Sequence, residues 1–314
     1  MKLHILDTSN YIHIGDAASP KKIKRGVRET NFEYQSNVAP FGGVYYLLNK
    51  VMKLHEDPSN IVVPVFDSTP TIKRKMYGDV FNNPYGYKAG RKSKGPSIGW
   101  QRDLAKKLLT HAGFPVQYVE GYEADDIIYT LVQMYKEDYE HIYIHTLDSD
   151  LAFLVDDNVS IAAVSDANPK IITKANYEYS ITKKRRMVYN ISHLVKLCYG
   201  DTSDNIFGIG EAWADAMDNS DMKLNYPKMG DLDYARKCLR QLIYDNPTLP
   251  NVGRVLQTFD ILVPLLIPYD ELDDDIECDV KELVLAYFKS GFKPEFDSWG
   301  IEEEIKDYID LYYQ

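Results

Sequence analysis

Aspartates placed directly after short apolar runs are the first residues in this 314-residue sequence that point to chemistry. Asp7 closes Leu3-His4-Ile5-Leu6, Asp67 closes Ile61 to Phe66, and Asp148 closes His141 to Leu147, with Asp150 two residues on. If each run is a strand of an open parallel sheet, each carries a carboxylate to the crevice beyond the strand carboxyl ends, where reactive groups collect. Glu123-Ala124-Asp125-Asp126 opens a helical apolar pattern. Glu123 and Asp126 share a face of that helix, and Asp125 points about 100° away. One acid at a helix start complements the macrodipole; three, beside three strand-end aspartates, exceed that need. Carboxylates packed together resist ionisation, and divalent cations relieve them. No His or Cys stands at ligand spacing, so an all-oxygen site suits Mg²⁺ or Mn²⁺ better than Zn²⁺. An EF-hand after Asp148 is excluded, because Phe153 occupies the position that requires glycine. Paired cations held by carboxylates serve in-line attack at phosphorus. The residues alone leave three readings open: a metal-dependent phosphoryl or nuclease site, a phosphatase-like enzyme, and a structural cation site.

A second segment adds to this set. Gly200-Asp201-Thr202-Ser203-Asp204-Asn205-Ile206-Phe207-Gly208-Ile209-Gly210 supplies two more acids and a Gly-Ile-Gly element. Glycines let backbone N–H groups approach phosphate oxygens, although a lone G-x-G is more often a plain turn between helices. Basic residues interleave with aromatics at 68–96: Lys73-Arg74-Lys75, Lys88, Arg91, Lys92 and Lys94 among Tyr77, Tyr85 and Tyr87. Such tyrosines can stack on unpaired bases. The runs Lys21-Lys22-Ile23-Lys24-Arg25 and Lys183-Lys184-Arg185-Arg186 suit either phosphate contact or a solvated surface.

Strand-like runs at 3–7, 61–66, 115–119, 141–147 and 159–164 alternate with helical patterns at 41–54, 98–112 and 124–135. That rhythm predicts an α/β fold with a mainly parallel sheet flanked by helices on both faces. Pro64 hints at an edge strand or a bulge. We expect an α/β domain over 1–190, interrupted by an arch-like insertion at 68–96, then a helical region over 191–314 with an acidic tail from 260. The 45% hydrophobic, 26% charged composition is globular and excludes bulk disorder. No run of about 18 apolar residues is present, so a membrane span is not expected. Cys198, Cys238 and Cys278 lie far apart, which excludes a disulfide framework and suits a reducing cytoplasm. The net charge of −11 misleads about partners. Residues 260–314 hold 16 acids and 4 bases, whereas residues 1–110 hold 18 bases and 9 acids. The basic third fits a nucleic-acid partner.

In combination, Glu123-Ala124-Asp125-Asp126, Leu147-Asp148-Ser149-Asp150-Leu151 and Gly200-Asp201-Thr202-Ser203-Asp204-Asn205-Ile206 resemble the flap endonuclease / 5′→3′ exonuclease family. Phe66-Asp67 and Tyr87-Lys88-Ala89-Gly90-Arg91 are similar to its second acidic motif and arch region, and Asp7 to its first. The resemblance spans about residues 1–215, and in size the chain is most similar to phage members, including the phage RNase H type that removes RNA primers. It implies a PIN-like 5′ nuclease fold followed by a helix–turn–helix-type element that grips duplex. It implies two Mg²⁺ ions, replaceable by Mn²⁺, held by Asp7, Asp67, Glu123, Asp125, Asp126, Asp148, Asp150, Asp201 and Asp204. Glu123, Asp126, Asp148 and Asp7 would lie nearest one ion; Asp150, Asp201 and Asp204 would lie nearest the other. Arg74, Lys88 and Arg91 would act at the scissile phosphate beneath the arch. Lys73, Lys75, Tyr87, Lys92, Lys184, Arg185, Gly208 and Gly210 would join them in binding nucleic acid. The implied partners are a DNA or RNA–DNA duplex with a 5′ end or flap, and replication proteins, in the cytoplasm (of a bacterial host for a phage protein). One departure stands out: the glycine turn is short and is followed by Glu211-Ala212-Trp213-Ala214-Asp215, with no Lys or Arg, which leaves Arg236, Lys237 and Arg240 as substitutes. Two rivals remain, a PIN-like ribonuclease and a non-catalytic DNA-binding member of the fold.

Overall fold

The computed structural model describes residues 1–24, 42–83, 85–90, 96–164, 170–175, 191–272 and 276. The expectations placed on Arg91, Lys92, Lys184 and Arg185, and on most of the acidic tail, lie outside the described residues.

Five strands form one sheet: β1 (Lys2–Asp7), β2 (Asn60–Val65), β3 (His141–Thr146), β4 (Val159–Ala163) and β5 (Ile171–Ile172), in the order β2-β1-β3-β4-β5. The first four are parallel, and the short β5 joins β4 antiparallel. Their apolar residues face helices on both sides. On one face Leu6 and Val62 pack against α1 (Thr8–Lys24), α2 (Gly42–His55) and α4 (Pro96–His111). On the other, Leu3, Ile5, Val63 and Val65 pack against α5 (Ala124–Tyr135) and the 3₁₀ turn Ser149–Leu154. Gly15 lets α1 lie directly on α2, because a Cβ there would sit 2.4 Å from the Gly42 carbonyl oxygen. The sequence reading missed α1: its apolar residues make only a weak stripe.

Residues 115–119 form no strand. Their link to the sheet is a single parallel bridge from Gln117 to Val65, with Phe66 N–H donating to Gln117 and Gln117 N–H to Pro64, both at 2.9 Å. Pro64 turns its carbonyl, and therefore its missing N–H, toward this outer side, so the full β1–β2 ladder survives the proline.

The insertion at 68–96 contains a helix, α3 (Thr71–Phe81), which buries Lys73 and Tyr77. The described part of the C-terminal region holds α6 (Ser192–Tyr199), α7 (Glu211–Asp218), a 3₁₀ segment (Asp221–Lys228), α8 (Leu232–Asp245) and α9 (Val255–Leu262). Its residues Ile191, Leu194, Leu197, Trp213 and Phe259 belong to the same core as Leu3, Ile5 and Ile127.

Candidate metal centre

The parallel register brings the strand-end aspartates together. Asp7 ends β1, between β2 and β3; Asp67 follows β2 by two residues, and Asp148 follows β3 by two. Asp7 Oδ2 accepts hydrogen bonds from Asn10 and from Thr146 Oγ1 at 3.0 Å, while Oδ1 is buried without a partner. Burial, then Asp67 and Asp148, push the Asp7 carboxyl up to about 7. Asp67 accepts from Ser9 Oγ at 2.6 Å and from the Ala124 N–H at 3.0 Å, which ties β2 to the start of α5. Asp148 caps the 3₁₀ turn by accepting from the Asp150 N–H. Asp125 is raised well above the usual carboxylate range, by burial first and then by Asp148, Asp7 and Glu123. Among the described residues no Lys or Arg is ion-paired with Asp7, Asp67, Asp125 or Asp148.

The other acids are neutralised by lysines. Glu123 accepts from Tyr87 Oη at 2.7 Å, is bonded by Lys88 and lies 3.5 Å from Lys73 Nζ. Burial alone would raise its carboxyl, but Lys73 and Lys88 hold it at about 2. Asp126 is fully buried: Oδ2 accepts from the Glu123 N–H at 2.9 Å, and Oδ1 from the Leu265 N–H at 2.7 Å, with Lys73 Nζ at 3.0 Å. This corrects the expectation that Asp126 and Glu123 point together at one ion. The capping box turns both inward and leaves Asp125 facing Asp7 and Asp148. Lys196 bridges Asp150 and Asp201, at 2.6 Å from the latter. Burial and Asp148 raise Asp150 despite Lys196. Asp201 is held low against its burial by Lys196 and Ser203, whose N–H and hydroxyl donate to Oδ1. Asp204 lies 3.7 Å from Lys88 Nζ.

Among the described residues, no three acids stand in ligand geometry around a common point. The donor sets nevertheless differ in what they fit. Asp7, Asp67, Asp125 and Asp148 give an oxygen-only, electrostatically strained group with one orphaned buried oxygen, which fits a hard dication. Asp150 and Asp201 share the single Lys196 ammonium, which offsets one of their two charges and occupies the space between them, so that pair fits a second resident cation less well while the ammonium is in place.

The residues expected to touch nucleic acid divide as clearly. Arg74 and Lys75 are exposed on α3, and Lys88 sits at the rim of the acidic group. Lys73 and Tyr87 are not on the surface: the former is 5% and the latter 3% exposed, and both are bound to Glu123. Stacking of a base on Tyr87 has no face to use. Gly208 is tight because a Cβ would meet the Cys198 carbonyl oxygen at 2.3 Å, a close approach within the protein. Gly210, at φ +116°, is open. The turn 201–206 is fixed to the insertion, with Tyr77 Oη donating to the Asn205 carbonyl at 2.7 Å, Asn205 Nδ2 to Gly86 and Lys88 N–H to Asp204. Of the basic substitutes considered, Arg236 is ion-paired to Asp233 and Asp260. The cation that does lie beside the glycine turn is Arg254, stacked on Phe81, which in turn meets the 62% exposed Phe207. Neither Arg254 nor Lys196 was legible from local sequence. Asn10 was closer to legible, three residues beyond Asp7 at a helix start.

The sheet gathers at its carboxyl edge aspartates that no lysine or arginine among the described residues ion-pairs, with a helix start beside them, in a mainly parallel α/β fold. Residues 2–184 match the family described as 5′-3′ exonuclease, N-terminal resolvase-like domain, and the chain belongs to that family. It is 28% identical to DNA polymerase I of Caldicellulosiruptor bescii over 277 residues, covering 86% of this chain and 31% of the polymerase. It is 29% identical to a 5′-3′ exonuclease of Aquifex aeolicus over 208 residues, covering 66% of this chain and 64% of that protein. The chain thus spans under a third of the polymerase and just under two thirds of the exonuclease. The T5 D15 protein co-crystallised with metal ions aligns with a TM-score of 0.47 at 16% identity, over 92% of this chain and 100% of that one.

Proposed function

We propose that the protein is a structure-specific 5′ nuclease, a phosphodiesterase dependent on Mg²⁺ or Mn²⁺. It hydrolyses DNA or RNA at 5′ ends or flaps on duplex, as in primer removal during replication. The observation that carries this reading is the unpaired group Asp7, Asp67, Asp125 and Asp148 at the sheet edge, in a chain of the 5′-3′ exonuclease family. A dication bound there would supply Lewis acidity at the phosphoryl oxygen and a water of lowered pKa. Thr146 and Asn10 orient Asp7, and Ser9 orients Asp67, so the carboxylates are presented without rotamer search. Lys88 stands between Glu123 and Asp204, able to leave them for a phosphate that enters the rim. Arg74 and Lys75 face solvent beside it, suited to the backbone of the 5′ strand. The basic segment at 68–96 is read as the arch over that strand, and the α6–turn–α7 unit as the duplex contact.

The test is cleavage of a 5′-flap duplex labelled at either end, with Mg²⁺ and with EDTA. Metal-dependent cutting near the junction, or stepwise from the 5′ end, is expected. Binding without cutting would transfer the reading to a non-catalytic member of the fold.

A further inference from the structure

Lys73 precedes two exposed basic residues and does not share their exposure. Arg74 and Lys75, its neighbours on α3, face solvent, whereas the Lys73 ammonium lies inside, 3.0 Å from Asp126 Oδ1 and 3.5 Å from Glu123 Oε2. Asp126 has both oxygens engaged by protein donors, Oδ2 by the Glu123 N–H and Oδ1 by the Leu265 N–H. One turn along α5, Thr130 Oγ1 donates to the Asp126 carbonyl and accepts from the Ile267 N–H at 3.0 Å. Four pieces of chain therefore meet at this point: α3, the first turn of α5, the Tyr87–Lys88 segment and the extended strap at 263–267.

A lysine that contacts phosphate must present its ammonium to solvent, and a carboxylate that holds a cation must turn oxygens toward the open site. Neither condition holds for Lys73 or for Asp126. Burying an ion is costly unless it is paired and hydrogen-bonded, and here one ammonium serves two carboxylates. We infer that Lys73 is a positioning residue for the cation site, and that Asp126 is the anchor it holds, tying α3 and the 263–267 strap to the helix that presents Asp125 and Glu123. The inference rests on the cation-dependent reading above for its consequence, and on geometry alone for the pairing.

The experiment compares Lys73→Met, Asp126→Asn and the double variant with the wild type in three measurements: thermal unfolding in EDTA, calorimetric titration with Mn²⁺, and binding of a 5′-flap duplex across a salt series without divalent cation. Lys73→Met leaves buried Asp126 without a counter-charge and Glu123 with Lys88 alone, and a Tm loss of about 4 °C or more is expected. Mn²⁺ binding should weaken about tenfold, one step of the affinity scale. The double variant removes the stranded Asp126 charge and should recover at least half of the Tm loss. Flap affinity and its salt slope should be unchanged. Unchanged Tm and Mn²⁺ affinity, with a salt slope reduced by about one, would make Lys73 a phosphate contact and overturn the inference. No recovery in the double variant would overturn the pairing, and if Lys73→Met alone fails to fold this arm still decides. A wild type that binds no Mn²⁺ sinks the cation-dependent reading and leaves the pairing to be judged by the Tm arm.

Discussion

Two sets of acids adjoin at one edge of this molecule, and the structure treats them in opposite ways. At the sheet edge, Asp7, Asp67, Asp125 and Asp148 are held by neutral donors such as Thr146, Asn10 and Ser9, and Asp7 and Asp125 are forced well above the ordinary carboxylate range. On α5 and the 200–206 turn, Glu123, Asp126 and Asp201 are each met by a lysine, and Glu123 and Asp201 stay below that range. The difference teaches that acidity in sequence does not identify a cation site; the absence of an internal counter-charge does. The lysine-matched acids hold the scaffold, and the unmatched ones carry the strain that a dication would relieve.

The comparison can be broken at several points. Asp148→Asn removes one unmatched carboxylate, and flap cleavage should fall by at least about a thousandfold, with flap binding kept. Single-turnover cleavage beside a gel-shift titration checks this; cleavage near the wild-type rate would place the chemistry elsewhere. Lys196→Met should turn Asp150 and Asp201 into an unmatched pair like the first group. The metal-free protein should lose about 1–3 kcal/mol, at the low end for a partly exposed pair, and the Tm gain on adding Mn²⁺ should become larger than in the wild type. An unchanged gain would mean that the missing counter-charge is not what makes a cation site here.

Buried histidines offer a comparison in which burial, and not a neighbouring acid, is the largest effect. His193 lies between the rings of Phe153 and Phe259, and burial lowers it to about 3. His4, hydrogen-bonded to His145 and near Lys50, Lys2 and Asp57, is lowered to about 4, by burial first. Both bind a proton more readily when unfolded. Their stabilisation is therefore complete above about pH 6.5 and is lost as pH falls toward 4, at about 1.4 kcal/mol per pH unit for each. The difference in urea midpoint between the wild type and His193→Phe at pH 7.5, 6 and 5 measures this with the opposing gain from the raised carboxyls cancelled, and a difference that does not change with pH would show that this ring accepts a proton in the native state. The smallest effect is expected from Asp125→Asn, a gain of about 1 kcal/mol in the metal-free protein from relieved repulsion. A loss of stability there would show that the attraction of Lys73, which also acts on Asp125, outweighs the repulsion from its acidic neighbours.

Much of this was legible in the sequence because it depends on local periodicity. Strands at β1 to β4, helices at α2, α4 and α5, and aspartates at three strand ends follow from apolar spacing and the parallel topology it implies. The β5 strand, two residues long, and α1, with its weak stripe, lacked such a signal. The division of the acids was not legible at all. It is set by Lys73, Lys88 and Lys196 arriving from other elements, and a count of charges along the chain cannot show which lysine turns inward.

The strap at 263–267 has a consequence for how the molecule is made. Asp126 and Leu265 are 139 positions apart, yet the hydrogen bond between them closes the first turn of α5. A ribosome adding about 5–20 residues per second needs on the order of ten seconds to cover that stretch. Once residue 148 has been added, the nascent chain carries all of its strand-end aspartates but still lacks the strap that bonds to their helix. The residues of the family domain, complete at 184, thus emerge before the centre they form can be finished.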